Sequence, residues 1–294
     1  MDKLFPSPSD FEDKLFPPKI TLRIKGKLLL LDRPWVMGIL NLTPDSFYSG
    51  SRFLGDEAFL LQRADKMIVE GADMLDIGGY SSRPGAKEVS LEEELSRVIP
   101  AIIAIKKNNP GILISIDTFR AKVAEEAISA GADMVNDISA GELDKDMIRT
   151  VAGLEIPYIA MHMRGTPKNM QQMTDYGDIL LEIAKYFAKK LEDFNKAGIK
   201  DVILDPGFGF AKTLEQNYWI LKNLSYFKII QAPILVGVSR KSMIYKKLDL
   251  TPEESLNATT ALHMAALING ANILRVHDVK EAKQTVILYN QLYS

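Results

Sequence analysis

The chain echoes itself. GADMLDIGG begins at Gly71 and GADMVNDIS at Gly131, and weaker relatives follow as AGIKDVILDPG from Ala197 and NGANILRVHD from Asn269. The glycines of the four copies, 71, 131, 198 and 270, lie 60, 67 and 72 residues apart, and each interval has room for about two strand–helix units. Four such pairs make eight units, which restricts the architecture more than any bulk property does.

The rest of the pattern agrees. Apolar runs that read as strands lie at 35–40, 74–78, 112–117, 134–138, 157–162, 201–205, 233–238 and 273–277. Helical patterns lie between and after them at 56–70, 91–108, 120–130, 144–153, 175–198, 213–227, 251–270 and 278–292. Strands that are apolar nearly throughout, joined by amphipathic helices, imply a parallel sheet covered on both faces. Eight of them favour an α/β fold of the closed (β/α)8 TIM-barrel type. An open doubly wound sheet is the competing reading, but GGYSSRPGA is not G-x-G-x-x-G, and no strand is followed by that dinucleotide fingerprint. Asp56, Thr213 and Thr251 are suited to helix starts, and the four echo glycines to helix ends. Pro100 warns of a kink in its helix.

Ahead of the barrel, TLRIKGKLLLL reads as a short N-terminal hairpin able to cover one open end, and the proline-spaced residues 1–19 as a surface arm. The organisation expected is a single catalytic domain over 1–294, with arm and hairpin in 1–33 and the barrel in 34–294. A net charge of -2 lacks the basic excess that nonspecific nucleic-acid binding needs, so an anionic ligand would have to be met by a few placed cations. Cysteine is absent, which removes disulfides, thiolate metal sites and cysteine nucleophiles. No apolar run has the length of a membrane span and the first residues lack a signal-peptide pattern, so the cytoplasm is the expected compartment.

In a barrel the strand ends and the loops after them converge on one pocket. Here they carry Asn41 and Thr43; Asp76 with Ser81, Ser82 and Arg83; Asp117 and Thr118; Asn136 and Asp137; Met161, His162 and Arg164; Asp205; Ser239, Arg240 and Lys241; and Arg275, His277 and Asp278. Asp76, Asp117, Asp137 and Asp205 interrupt apolar strands, where a carboxylate must be paired, hydrogen-bonded or metal-bound. One such aspartate is readily explained by internal hydrogen bonds. A ring of four with asparagines suits a planar heterocycle rich in N–H donors and ring-nitrogen acceptors. Arg275 and His277 alternate on the last strand and so share a side, and with Arg83 in its Gly- and Ser-rich loop they could hold a phosphate or diphosphate. Lys241 could serve either the ring or the anion, and Phe208 or Phe210 could stack on an aromatic substrate or pack in the core. The three histidines have no metal-ligand spacing, and His263 is expected to be packed or on the surface. Mg2+ bridging a diphosphate to one side-chain oxygen, such as that of Asn41, needs few protein ligands. The long segments 43–56 and 79–90 could close over a substrate and keep water from an electrophile.

Eight motifs then occur in order at successive strand ends: NLTPDSF (41–47), DIGGYSSRPGA (76–86), SIDTFRAKVAEEA (115–127), NDISAG (136–141), MHMRGTPKNMQ (161–171), DPGFGFAKT (205–213), VGVSRKS (236–242) and RVHDV (275–279). Together they resemble the dihydropteroate synthases, across nearly the whole chain after residue 34. The resemblance implies a (β/α)8 barrel, commonly a homodimer, that joins para-aminobenzoate to 6-hydroxymethyl-7,8-dihydropterin diphosphate in folate synthesis, forming 7,8-dihydropteroate and releasing diphosphate. By that resemblance Asp117, Asn136, Asp205 and Lys241 would hold the pterin, with Met161 in the substrate-binding set and Lys212 near the bound ring. Asn41 would contact the Mg2+ diphosphate, and Arg83, Arg275 and His277 would bind its oxygens. Ser82, Phe210 and Ser239 would form or border the para-aminobenzoate pocket. The implied chemistry is dissociative, with Lys241, Arg83, Arg275, His277 and Asp117 carrying it through charge stabilisation rather than a nucleophile. Tyr80 and Ser82 stand where many members have glutamate and threonine, which puts the loop contacts and the affinity for para-aminobenzoate or sulfonamide mimics in question. A pterin-binding methyltransferase acting on methyltetrahydrofolate would need no diphosphate set, so Arg83, Arg275 and His277 speak against it; a noncatalytic pterin-binding homologue should have lost an anion or metal position.

Overall fold

The computed structural model describes residues 20–42, 57–81 and 88–293. The arm 1–19, the segment 43–56 with the Asp56 helix start, and the stretch 82–87 with Ser82 and Arg83 lie outside the described residues.

Strands β1 (Thr21–Ile24) and β2 (Lys27–Leu30) pair antiparallel across Lys25 and Gly26, whose φ angles of 48° and 76° are those of a tight two-residue hairpin turn. Eight parallel strands follow: β3 (Trp35–Asn41), β4 (Met74–Gly78), β5 (Leu113–Asp117), β6 (Met134–Asp137), β7 (Tyr158–Met161), β8 (Val202–Asp205), β9 (Leu235–Val236) and β10 (Ile273–Val276). Their order is β8-β7-β6-β5-β4-β3-β10-β9, and a parallel bridge between Leu204 and Ile234 joins the two ends into a barrel. The last junction is sparse: Pro233 has no N–H to give, so only its carbonyl takes part, accepting from Leu204 N at 2.9 Å. This is why the run expected as a strand at 233–238 supplies only two ladder residues.

The barrel wall is wrapped by α1 (Glu57–Val69), α2 (Leu91–Asn108), α3 (Ala121–Ser129), α4 (Met147–Leu154), α5 (Ile179–Ala197), α6 (Leu214–Lys222), α7 (Ser242–Leu248), α8 (Leu256–Ile268) and α9 (Val279–Tyr293). Helix α2 runs unbroken through Pro100. Thr213 caps α6 in a reciprocal capping box with Gln216. Thr251 does not start α8: it exchanges hydrogen bonds with Glu254 in a turn of its own, and the helix begins at Leu256. The stretch expected as one helix over 213–227 is split between α6 and a 3-10 segment, Leu224–Ile230, and the sequence reading had no counterpart for α7, whose seven residues are too few to show a period.

Two cores share the strands. Alternate residues Val36, Leu75, Ile77, Ile114, Ile116 and Val135 face the helices. Trp35, Met37, Met74, Met134, Ile159, Ile203, Leu235 and Ile273 fill the N-terminal half of the lumen, where Leu22, Ile24 and Leu31 of the hairpin segment close it like a stopper. The echo has its cause at this end. Asp73 Oδ2 accepts the Val36 N–H at 2.8 Å, Asp133 Oδ2 accepts the Ile114 N–H at 2.8 Å, and Asn272 Oδ1 accepts the Ile234 N–H at 2.9 Å. Each ties the start of the neighbouring strand. In the third copy, Asp201 Oδ1 accepts from the Arg23 backbone at 3.0 Å and so docks the hairpin. The four glycines ahead of these residues have φ between 97° and 120°, a region costly to residues with a Cβ.

Candidate active site

Above the apolar plug, the same inward positions turn polar. Parallel register sets Asn41, Gly78 and Asp117 side by side on β3, β4 and β5. A Cβ on Gly78 would lie 3.4 Å from Asp117 Cβ and 3.5 Å from Asn41 Oδ1, so the glycine opens the cradle in which these two side chains meet. One layer below, Arg275 reaches across from β10. Its Nε donates to Asp76 Oδ2 at 2.6 Å and its Nη2 to Asp117 Oδ2 at 2.6 Å, while Asn136 Nδ2 donates to the same Asp76 oxygen at 3.0 Å.

Asp76 and Asn136 are buried, while Asp117 and Arg275 each keep 20% of their side-chain surface exposed at the mouth, and their ionisation follows from this partial removal from water. Burial raises the Asp117 carboxyl to about 7 in spite of Arg275, with Asp76 pushing the same way. Burial opposes the charge on Arg275, but Asp76 and Asp117 together hold the guanidinium above its ordinary range. Burial also raises Asp205, against the pull of Lys241, and lowers Lys241 to about 8, against the pull of Asp205.

The loop between β8 and α6 is built around Asp205 and two lysines. Asp205 Oδ1 accepts the Gly207 N–H at 2.7 Å. Lys241 donates to the Phe208 carbonyl, and its ammonium lies 4.7 Å from the centre of the Phe210 ring. Phe208 is core, whereas Phe210 is half-buried at the mouth. Lys212 is turned into the loop: Nζ contacts the carbonyls of Gly207 (3.0 Å), Phe210 (3.0 Å) and His162 (3.3 Å), together with His162 Nδ1 (3.0 Å). Burial lowers this amine to about 7 and, aided by Lys212, holds His162 well below the usual histidine range, so the imidazole is a neutral acceptor. Lys212 therefore shapes the loop that presents Phe210 and Lys241.

Ser239 Oγ accepts the His277 backbone N–H at 3.1 Å and lies 3.0 Å from Nδ1 of the same imidazole, so it clasps His277. Met161 is an inward residue of β7, packed with Ile138, Met163, Met170 and Phe210. Two of the strand-end residues stand elsewhere. Asp137 follows inward Asn136 and so points outward, where Tyr158 Oη (2.6 Å), Ser139 and the Gly141 N–H satisfy it; the expected ring of four aspartates is a set of three. Thr118 donates to buried Glu94 at 2.7 Å in a network with Arg120 outside the lumen. Tyr80 packs edge-on against Phe119, 5.1 Å between centroids, with Arg120 over its ring. His263 is buried in α8. Asp76, expected from the apolar run MLDIG as one member of the aspartate ring, has Arg275 and Asn136 as its partners.

A family profile described as pterin binding enzyme matches residues 37–277. The dihydropteroate synthase of Synechocystis sp. is 46% identical over 92% of this chain and 93% of its own length, and that of Escherichia coli is 42% identical over 89% and 93%. The chain belongs to the dihydropteroate synthases. Solved structures of that family superpose closely: the Yersinia pestis enzyme in complex with a sulfonamide drug at a TM-score of 0.87, 40% identical over 93% of this chain and 99% of that one, and the Xanthomonas albilineans enzyme with 4-aminobenzoic acid at 0.87, 35% identical over 94% and 99%. As a dihydropteroate synthase the enzyme condenses 6-hydroxymethyl-7,8-dihydropterin diphosphate with para-aminobenzoate to 7,8-dihydropteroate and diphosphate, and the methyltransferase and noncatalytic readings give way.

Proposed function

We propose that this dihydropteroate synthase divides its mouth between a pterin-reading wall and an anion-holding rim, and that the reaction it catalyses is dissociative. The observation that carries this is the convergence of acceptors from Asp117, Asn136 and Asp205 with the cations Arg275 and Lys241 above one apolar plug. The acceptors suit the N–H edge of the pterin, and Lys241 its carbonyl. Arg275, His277 and, from the undescribed stretch, Arg83 take the diphosphate. The C–O bond between the pterin methylene and diphosphate breaks first, its electron pair leaving with the diphosphate. The ring-stabilised cation is captured by the aryl amine, which then loses a proton. Cations placed where departing charge gathers lower that barrier without a protein nucleophile.

Mg2+ fits what is present. Asn41 offers a half-buried amide oxygen beside the Gly78 cradle, and among the described residues no group of three or more His, Asp or Glu forms a metal cage. An ion that keeps most of its ligands on the substrate diphosphate and water requires little more. When bound, Mg2+ would supply charge neutralisation of the leaving diphosphate.

The same reading takes the enzyme as one catalytic unit, cytoplasmic, and a homodimer. Among the described residues, no helix is long and apolar enough to cross a membrane. Sulfonamides would occupy the para-aminobenzoate position near Phe210, with Ser82 and Ser239 bordering it. The test is a magnesium-dependent assay for dihydropteroate and diphosphate from the two purified substrates, with calorimetric titration of the free pterin and its diphosphate. Arg275→Ala should chiefly weaken the diphosphate and Asp205→Asn both ligands. Equal losses for both ligands in both variants would sink the division of labour.

A further inference from the structure

Asp76 has no substrate contact in the scheme above, yet it is the most enclosed lumen carboxylate. It is fully buried, its Oδ1 has no hydrogen-bond partner among the described residues, and its bonds to Arg275 and Asn136 both fall on Oδ2. An ionised carboxylate can only accept, so whatever faces it must present N–H groups. Asn136 is thereby obliged to turn Nδ2 inward, and its Oδ1 is left for a ligand donor. Arg275 is obliged to turn its Nε edge toward Asp76, where Asp117 also takes Nη2, and Nη1 is left without a partner among the described residues. One buried oxygen thus sets the orientation of two side chains that come from β6 and β10, each two strands away from β4 in the sheet.

We infer that Asp76 is a positioning residue that aims the Asn136 amide at the pterin and the Arg275 guanidinium at the diphosphate, coupling ring reading to anion binding. The inference rests on the assignment of Arg275 to diphosphate and Asn136 to pterin. An asparagine at position 76 has the same shape but lacks the charge, and it can turn an N–H toward either neighbour. The guanidinium is then free to swing and the amide to flip.

The experiment is calorimetric titration of 6-hydroxymethyl-7,8-dihydropterin and of its diphosphate with Mg2+, on the wild type, Asp76→Asn, Arg275→Gln and the double variant. Asp76→Asn should weaken the diphosphate by about 10-fold or more, the worth of a hydrogen bond between charged groups. In the Arg275→Gln background the same change should cost the diphosphate less than about 3-fold beyond what it costs the free pterin, since the guanidinium being aimed is gone and only the Asn136 contribution, common to both ligands, is left. Fully multiplicative losses would overturn the positioning role. If Arg275→Gln weakens the two ligands equally, the diphosphate assignment of Arg275 fails, whereas additivity at 76 and 275 is still read separately. Should Asp76→Asn not fold, the wild-type protein answers: the Arg275 Nε–H, assigned through Arg275→Lys, should exchange with water far more slowly than those of exposed arginines. Fast exchange would overturn the inference.

Discussion

Alanine at Gly207 should damage both the fold and the chemistry, and alanine at Gly209, two residues on, should damage far less. Both glycines have left-handed backbones, with φ of 73° and 81°. A Cβ at Gly207 would stand 2.1 Å from the His162 carbonyl oxygen, whereas at Gly209 the nearest atom is Lys241 Cδ at 3.5 Å. Gly209→Ala therefore meets only the left-handed penalty of about 1–2 kcal/mol. Gly207→Ala meets that and an overpacking cost of about 1–3 kcal/mol, because a backbone oxygen cannot turn aside as a flexible side chain can. The loop must retreat by about 1 Å to restore ordinary contact. That retreat carries the Gly207 and Phe210 carbonyls away from Lys212, and the Phe208 carbonyl away from Lys241. At roughly 2 °C per kcal/mol for a chain of this size, melting should fall by about 4–10 °C for Gly207→Ala and about 2–4 °C for Gly209→Ala. A displacement of this size near reacting groups should lower kcat/KM by about 10²-fold for Gly207→Ala, against a few-fold at most for Gly209→Ala. Calorimetry and steady-state kinetics with both substrates check the pair. Equal melting and equal kcat/KM in the two variants would refute the close-approach argument.

The pH profile of kcat/KM should be a narrow bell. Asp117 must be ionised to accept a pterin N–H, so activity falls as pH drops below about 7; Lys241 must be an ammonium, so it falls as pH rises above about 8. Lys241→Arg should remove the alkaline limb while retaining the acid one, and a flat profile from about pH 6 to 9 in the wild type would count against both assignments. At the other end of the lumen, Leu22→Ala empties part of the hairpin plug, where Leu22 is 1% exposed. It should cost about 2–5 kcal/mol in thermal unfolding while leaving kcat/KM at 25 °C near the wild-type value, and a parallel loss of activity would show that plug and mouth are not separable.

Much of this was legible in the one-dimensional pattern, for a physical reason. Parallel strands buried on both faces must be apolar, so the few charges they carry stand out, and the echo recurs because every copy ends a helix and three of the four tie the start of a neighbouring strand, the copy with Asp201 docking the hairpin instead. Asp117, Asn136, Asp205, Lys241 and Arg275 were found at strand ends in this way, and alternation on β10 paired Arg275 with His277. Alternation also carries the information that Asp137 faces away from Asn136, since the two are consecutive on β6.

What only the tertiary structure decided is which of these groups touch. Asp76 and Arg275 are 199 residues apart in sequence and share a 2.6 Å ion pair because β10 pairs with β3, whose other neighbour is β4, so a long side chain on β10 can cross the lumen to β4. Lys212 and His162, 50 apart, meet because the β8–α6 loop folds back over the end of β7. Sequence determined the alternating units, the polar ends of the strands and the family, since these follow from local periodicity and from the identity of side chains. The partners of each buried charge depend on register and closure, which are properties of the whole sheet and of no single segment of it.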